Sequence, residues 1–305
     1  MIKVALIGYG YLGKFHAQKA ESIDACELSA IVEPNLDIHQ TIKENFPQVK
    51  IVQQINEVIN LIDAALIVTP TSFHFELINK LIKHNIHIFC EKPIVANSDQ
   101  AVELEQIAKD LDIVIQVGHS ERYHNIWSEF KEDLSLLGQN PLHWYAIRAG
   151  VFKDRAKDVS VIDDLMIHDL DLVNMFTQSP LKNINTNHFK IRTDNIDHSV
   201  TNLSFENNDS ATLISSRNFT EERREFWVSG SKGTLYVDLM NKVYRKSLKE
   251  YPIENLVNEK KYEPADHLML EQKDFYNCII EKSKPKVDLN QGCKIVHWLD
   301  QIKNN

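Results

Sequence analysis

The sequence predicts an α/β protein in two parts: a doubly wound parallel sheet, followed by an α+β domain on a large open, mostly antiparallel sheet. Three observations predict it. Short apolar runs alternate with helical spacing through the first 118 residues, which implies right-handed crossovers between parallel strands. A glycine-rich turn joins the first apolar run to the first helical stretch. Beyond Gly118 the pattern changes to strand-like segments separated by turn residues, closed by two helical segments. The expected domains are therefore 1–118 and 119–305.

In order, KVALIG (Lys3–Gly8) reads as a buried strand and Leu12–Ser22 as a helix. ELSAIVE (Glu27–Glu33) is the next strand, followed by a helix near Asp37–Phe46. AALIVT, HIFCEK and DIVIQVG supply further strands at 64–69, 87–92 and 112–118. Helices at Phe73–Lys83 and Ser98–Asp110 separate them, the second with Asn97 as N-cap. A helix near Ile126–Leu137 and a strand at His143–Gly150 open the second part. The stretch VIDDLMIHDLDLV then reads as a helix over 161–173. Residues 182–246 are mostly strand, with a hairpin turning at Asn207–Asn208–Asp209 and another at Gly230–Gly233. Helices near Asp266–Lys282 and Gln291–Ile302 close the chain.

The 305 residues suffice for two cores, and 43% hydrophobic with 25% charged residues is ordinary globular composition. A net charge of −9 disfavours nucleic acid or an anionic membrane as the main partner. MIKVALIGYG runs straight into a strand pattern and does not read as a signal peptide, and no apolar run approaches a spanning helix. Cys26, Cys90, Cys278 and Cys293 form no CxxC pair and lie in apolar segments, so reduced, buried thiols in a cytoplasmic protein are expected, with no metal.

GYGYLG places Gly8, Gly10 and Gly13 in G-x-G-x-x-G spacing between a strand and a helix. The first glycine permits the tight turn, the second lets a pyrophosphate reach the backbone, and the third allows close packing of the helix, whose free N–H groups then face phosphate. A bare strand-to-helix turn is the bland reading. Glu33, twenty residues after Gly13 at the end of the second strand, tips the balance to a dinucleotide, and its carboxylate favours NAD over NADP by repelling a 2′-phosphate. VTPTSFH (Val68–His74) and CEKPIV (Cys90–Val95) both follow strand ends, where open α/β sheets bind ligands. Read alone, His74 is structural more often than functional and Lys92 is a surface cation. On a helix, Asp164, His168 and Asp171 share a face. A histidine in such a stretch is by itself more often packed than catalytic.

Taken together, GxGxxG, then TP-x-x-x-H, then EKP, then D-x-x-x-H-D resemble the glucose–fructose oxidoreductase, inositol dehydrogenase and MocA (Gfo/Idh/MocA) family over essentially the full chain. The resemblance implies an N-terminal Rossmann domain and a C-terminal domain whose open sheet forms the interface of a homo-oligomer, dimer or tetramer. It implies that Gly8, Gly10, Tyr11, Leu12, Gly13, Glu33, Thr69, Pro70, His74, Glu91 and Lys92 meet the cofactor. Lys92 matches the family lysine that contacts substrate and nicotinamide ribose, His168 the usual acid/base, and Asp164 the acid one turn earlier. Two positions depart from the family pattern: Val159–Ser160 stands where a glycine pair is frequent, and Asn125 where proline is common.

A narrower likeness, in 118–124, 147–161 and 164–173, is to the branch containing UDP-N-acetylglucosamine 3-dehydrogenases, which serve lipid A amino-sugar synthesis. It implies a nucleotide-sugar substrate met by Lys92, Arg122, Arg148, Arg155, Asp164 and His168. Arg148, Lys153, Arg155 and Lys157 concentrate positive charge in an acidic chain, as a diphosphate requires. A solvated loop neutralised by Asp154 and Asp158 accounts for them equally well. Arg217 and Arg223, near strand ends, are further candidates; Asp163, Asp169 and Asp171 are left as solvated or helix-face residues. The rival readings are an inositol or UDP-sugar uronate dehydrogenase, an NAD-dependent glycosidase, and a non-catalytic NAD sensor.

Overall fold

The computed structural model describes residues 1–139, 141–153 and 158–305. Two compact units divide it: residues 1–120 with 266–297, and residues 121–265 with 298–305. The chain divides after residues 120, 265 and 297, so the second unit is not one continuous run to the C-terminus. Residues 266–297 belong to the first unit. Their helical pattern says where they are helical, but not which sheet they cover.

The first unit holds six parallel strands: β1 (Ile2–Ile7), β2 (Cys26–Val32), β3 (Lys50–Val52), β4 (Ala64–Ile67), β5 (His87–Glu91) and β6 (Ile115–Gly118). Their order is β3-β2-β1-β4-β5-β6, the Rossmann order, with the direction of winding reversing between β1 and β4. Helices α1 (Tyr11–Glu21), α2 (His39–Asn45), α3 (His74–Ile82) and α4 (Ser98–Ala108) make the crossovers. Central strands of such a sheet are covered on both faces, which is why β4 is four consecutive apolar residues, all fully buried. Asn97 caps α4 by accepting the Gln100 N–H at 3.0 Å. The three-residue β3 has no sequence pattern of its own and was not foreseen.

The second unit is an eight-stranded mixed sheet with helices α5 (Ile126–Asp133) and α6 (Ile167–Thr177). Its strands are β7 (His143–Ala149), β8 (Leu181–Phe189), β9 (His198–Phe205), β10 (Ser210–Ser216), β11 (Arg223–Gly230), β12 (Gly233–Asp238), β13 (Val243–Leu248) and β14 (Asn258–Lys261). The order is β14-β13-β12-β11-β7-β10-β9-β8, antiparallel throughout except for β7 beside β10. Both expected hairpins form: β9 meets β10 around Asn208, at φ +68°, and Gly230 pairs with Gly233 between β11 and β12. Trp127, Phe130, Trp144, Phe176 and Phe226 pack as one aromatic cluster, with Trp144 and Phe176 stacked at 5.6 Å. Helices α7 (His267–Glu281) and α8 (Leu289–Lys303) end the chain, α7 within the first unit and α8 containing the point where the units divide. All four cysteines are buried and free.

Candidate active site

The three glycines of the first turn have three different physical reasons to be glycine. Gly8 has φ +96°, and a Cβ there would lie 2.7 Å from the Val68 carbonyl oxygen. A Cβ on Gly13 would lie 2.1 Å from the carbonyl oxygen of Gly8, so only glycine lets α1 start this close to β1. A Cβ on Gly10 meets nothing within 4 Å. The protein itself does not need glycine at position 10, so the space it leaves suits a ligand approaching the backbone. Beside it lies a cavity of about 510 Å³ between the ends of β1, β2 and β4, lined by Gly8, Gly10, Glu33, Thr69 and Pro70 among others. Glu33 is held rigidly there, accepting the backbone N–H of Tyr9 and of Asn35, each at 2.9 Å. Its remaining lone pairs can take the hydroxyls of a ribose. Thr69 Oγ1 is buried with no hydrogen-bond partner among the described residues, as suits a group that completes its bonding on a ligand. The residues present fit a dinucleotide. Tyr11 and Leu12 are exposed at the start of α1, outside the cavity lining.

Two residues expected at the cofactor have inward duties instead. His74 is 1% exposed, and its ring nitrogens lie 2.9 Å from the carbonyl oxygens of Thr69 and Pro93. It ties the loop after β4 to the loop after β5 and is a positioning residue. Burial lowers its pKa, against the opposing pull of those carbonyls and of Glu91. Glu91 also turns inward: Oε1 lies 2.9 Å from His16 Nε2, and Oε2 accepts the backbone N–H of Lys92 at 3.1 Å. Burial alone would raise the Glu91 carboxyl, but His16 and then Lys92 bring it below the ordinary carboxylate value. Lys92 follows, half-buried, with a cis bond to Pro93.

In the second unit, a turn of π-helix at Ile162–Met166 precedes α6. The expected single helix over 161–173 is therefore widened at Ile162–Met166, around Asp164 and just before His168, a local irregularity often retained where side chains must be aimed. Asp164 and His168 are half-buried, whereas Asp171 is fully buried. Asp171 takes a two-pronged bond from Arg122, Nε at 2.7 Å and Nη2 at 2.6 Å. Asp169 is likewise buried and paired with Arg148, whose Nη1 also reaches Glu121 at 2.8 Å. Arg122 and Arg148 were expected to meet substrate. Their side chains are 4% and 5% exposed, and buried carboxylates occupy them, so both brace the helix, while Arg148 also lines the cavity that Asp164 borders. Asp163, expected to be solvated, pairs with Lys303 at 3.0 Å. Burial opposes ionisation of Glu121, but Arg148, His124 and His168 hold its carboxyl well below the ordinary value. Glu121 is thus the buried anion whose field His168 feels, a role that no spacing in the chain points to.

Asp164 also borders a cavity of about 210 Å³ at the ends of β7 and β10 and the start of β11. Ser216, Arg217, Glu222, Arg223 and Arg224 line it as well. Register explains the gathering: Arg224 lies opposite Arg148, and Arg223 and Ser216 both lie opposite Ala149. Arg217 pairs with Asp197 at 3.7 Å, Arg223 with Glu221 at 2.5 Å and Lys153 with Glu222 at 2.6 Å. Arg217 and Arg223, singled out from strand ends, are thus brought together with Asp164. Ser216, Glu222 and Arg224 were missed, although the pair Arg223–Arg224 at a strand start was a signal. Arg155 and Lys157 lie outside the described residues.

The Gfo/Idh/MocA oxidoreductase family model, described as an NAD-binding Rossmann fold, matches residues 2–119, and the Gfo/Idh/MocA C-terminal domain model matches residues 137–236. UDP-N-acetylglucosamine 3-dehydrogenase from Acidithiobacillus ferrooxidans is 28% identical over 283 residues, covering 91% of this chain and 88% of the relative. A solved structure of that enzyme has a TM-score of 0.91 at 25% identity, over 99% of this chain and 97% of the other. Myo-inositol 2-dehydrogenase from Thermotoga maritima is 24% identical over 263 residues, covering 78% and 75% of the two chains.

Proposed function

Because the chain belongs to the Gfo/Idh/MocA family of oxidoreductases, we propose that it is an NAD-dependent dehydrogenase that oxidises the 3-hydroxyl of UDP-N-acetylglucosamine. One observation carries the substrate class: the arginine-lined cavity that contains Asp164. Guanidinium groups at the mouth of a sugar site suit a diphosphate and find no anionic group on inositol, which is uncharged. The 28% identical relative acts on this nucleotide sugar, in keeping with that reading.

NAD, when bound, supplies the hydride acceptor. The chain's own part is to orient the alcohol and remove its proton. His168 is the base, and the nearby Glu121 anion supports the positive charge that its imidazole acquires. The Lys92 ammonium polarises the hydroxyl and stabilises developing alkoxide. Asp164 orients substrate and base. Glu33, standing in the cofactor cavity as a fixed carboxylate, favours NAD over NADP. We place the homo-oligomer contact on the sheet face that carries the half-buried Tyr145, Trp227 and Tyr236, with Tyr145 and Trp227 stacked at 4.8 Å. Among the described residues no helix is long and apolar enough to cross a membrane.

The test follows NADH absorbance with a panel of UDP-sugars and inositols, with an aminotransferase present to trap the ketone. Lys92→Ala and His168→Ala should each abolish turnover and leave the NAD Kd within about threefold of the parent, a change below 1 kcal/mol. Normal turnover in either variant would sink the assignment. Reduction with inositols alone would replace the substrate, and NAD binding without turnover of any sugar would make the protein a sensor.

A further inference from the structure

His16 on α1, Glu91 at the end of β5 and Glu271 on α7 lie in the interior of the first unit, 0%, 8% and 0% exposed. One nitrogen or oxygen from each lies within 4.8 Å of the others. Both carboxylate oxygens of Glu271 are buried with no hydrogen-bond partner among the described residues. An anion there would be a second negative charge beside Glu91, with no hydrogen-bond donor among the described residues to offset it. Such a trio must therefore hold either a proton or a cation.

The bonding around His16 decides between them. The Gln272 amide donates to the His16 carbonyl oxygen at 3.1 Å and to Nδ1 at 2.9 Å, while its own oxygen accepts the Tyr276 hydroxyl at 3.3 Å. Nδ1 is thus an acceptor and the ring proton sits on Nε2, the nitrogen that faces Glu91. A protonated Nε2 cannot ligate a metal. Glu91 takes that proton's hydrogen bond and the Lys92 backbone N–H, so it is the anion of the trio.

We propose that Glu271 keeps its proton at neutral pH and, as the buried neutral partner of Glu91, is a positioning residue for Lys92. The part concerning Lys92 rests on the function proposed above; the protonation does not. Burial first, and the charge of Glu91 second, push the Glu271 carboxyl well above the ordinary value. The other titratable groups around the trio are consistent with one anion. The buried Cys90 thiol is held protonated by burial and by Glu91, and burial likewise keeps the Tyr276 hydroxyl protonated. His74 and Lys92 both feel the Glu91 charge. With the proton in place, Glu91 is the one anion of the trio that acts on the Lys92 ammonium. Loss of that proton at higher pH adds a second, which holds the ammonium protonated to still higher pH.

Infrared spectra of protein with carbon-13 glutamate should contain a protonated glutamic carboxyl band at pH 7, absent from Glu271→Gln. Should that variant fail to fold, titration of the labelled parent gives the same answer, since the band must persist well above the ordinary glutamate range. Absence of the band overturns the proposal. So does a stoichiometric divalent metal found by elemental analysis of the dialysed parent. In kinetics, the alkaline limb of kcat/KM should set in at lower pH in Glu271→Gln, by about half a unit or more. An unmoved limb overturns the positioning role. The infrared and metal arms need neither NAD nor sugar, so they stand or fall apart from the dehydrogenase reading.

Discussion

Gly10→Ala separates cofactor binding from folding. The backbone at Gly10 has φ −72°, open to any residue, and a Cβ there meets nothing within 4 Å. Restricting the unfolded chain should leave the variant as stable as the parent or more stable, by about 0.4–1 kcal/mol. The same methyl occupies the space through which a pyrophosphate would reach the first N–H groups of α1. A hydrogen bond to a charged group contributes roughly 1.5–3 kcal/mol, so the loss of one weakens NAD binding about 10- to 150-fold. Gly13→Ala is the contrast: its Cβ would lie 2.1 Å from a backbone oxygen, and overpacking of that kind costs about 1–3 kcal/mol or more. Thermal unfolding by circular dichroism and NAD titration by calorimetry measure the two quantities. A folded Gly10→Ala protein with the parent's Kd would refute the placement of the pyrophosphate at this turn.

Arg224→Ala should raise KM for the UDP-sugar at least about tenfold, the loss of roughly 1.4 kcal/mol, with kcat little changed; equal effects on both constants would argue against a diphosphate contact. Arg122→Leu alone takes the guanidinium away from the buried Asp171 carboxylate and should cost about 3–5 kcal/mol in urea unfolding, more than the double change Arg122→Leu/Asp171→Leu. A double variant less stable than the single would show that the pair is not a closed unit. Asp197 accepts the N–H groups of Ile191, Arg192 and Thr193 and the Thr193 hydroxyl; burial raises its carboxyl, but these bonds prevail and bring it from 3.8 to about 2. Because the folded value is the lower one, its stabilisation of about 2 kcal/mol is complete above pH ~4 and fades as pH falls through about 2. Asp197→Ala should therefore lower Tm at pH 7 and flatten its fall below pH 4, and an unchanged acid limb would count against it.

What the sequence made legible were features whose cause is local. The first turn could be read because each glycine answers a constraint within a few residues, and β4 because a strand covered on both faces must be apolar throughout. The hairpins at Asn208 and Gly233 announce themselves by residues that tolerate positive φ. What stayed hidden depends on partners far along the chain. The Glu121–Arg148–Asp169 network joins three elements at separations of 27 and 21 residues, and His16 meets Gln272 across 256. No periodicity encodes such pairings. That residues 266–297 belong with the first unit stayed hidden for the same reason: helical spacing tells which face is apolar, but not what covers it.

The aspartates around α6 show how far residue type underdetermines role. Asp163, Asp164, Asp169 and Asp171 lie within nine positions, and each has a different environment: Lys303, an arginine-lined cavity, Arg148 and Arg122. Burying two carboxylates is costly, and each is met by a guanidinium that presents two donors in a fixed plane. Such pairs set the rotation of the helix firmly, because turning it by one residue would strand two charges. That rotation leaves Asp164 and His168 half-buried at the start of the helix. Arg122, which a sequence reading would assign to substrate, thus serves catalysis at one remove, by fixing where the base points. If that is so, Arg122→Leu/Asp171→Leu should keep NAD affinity and the fold yet lose kcat by about tenfold or more, since small misplacements of catalytic groups are costly. A folded double variant with the parent's kcat would show that the orientation of His168 is set elsewhere.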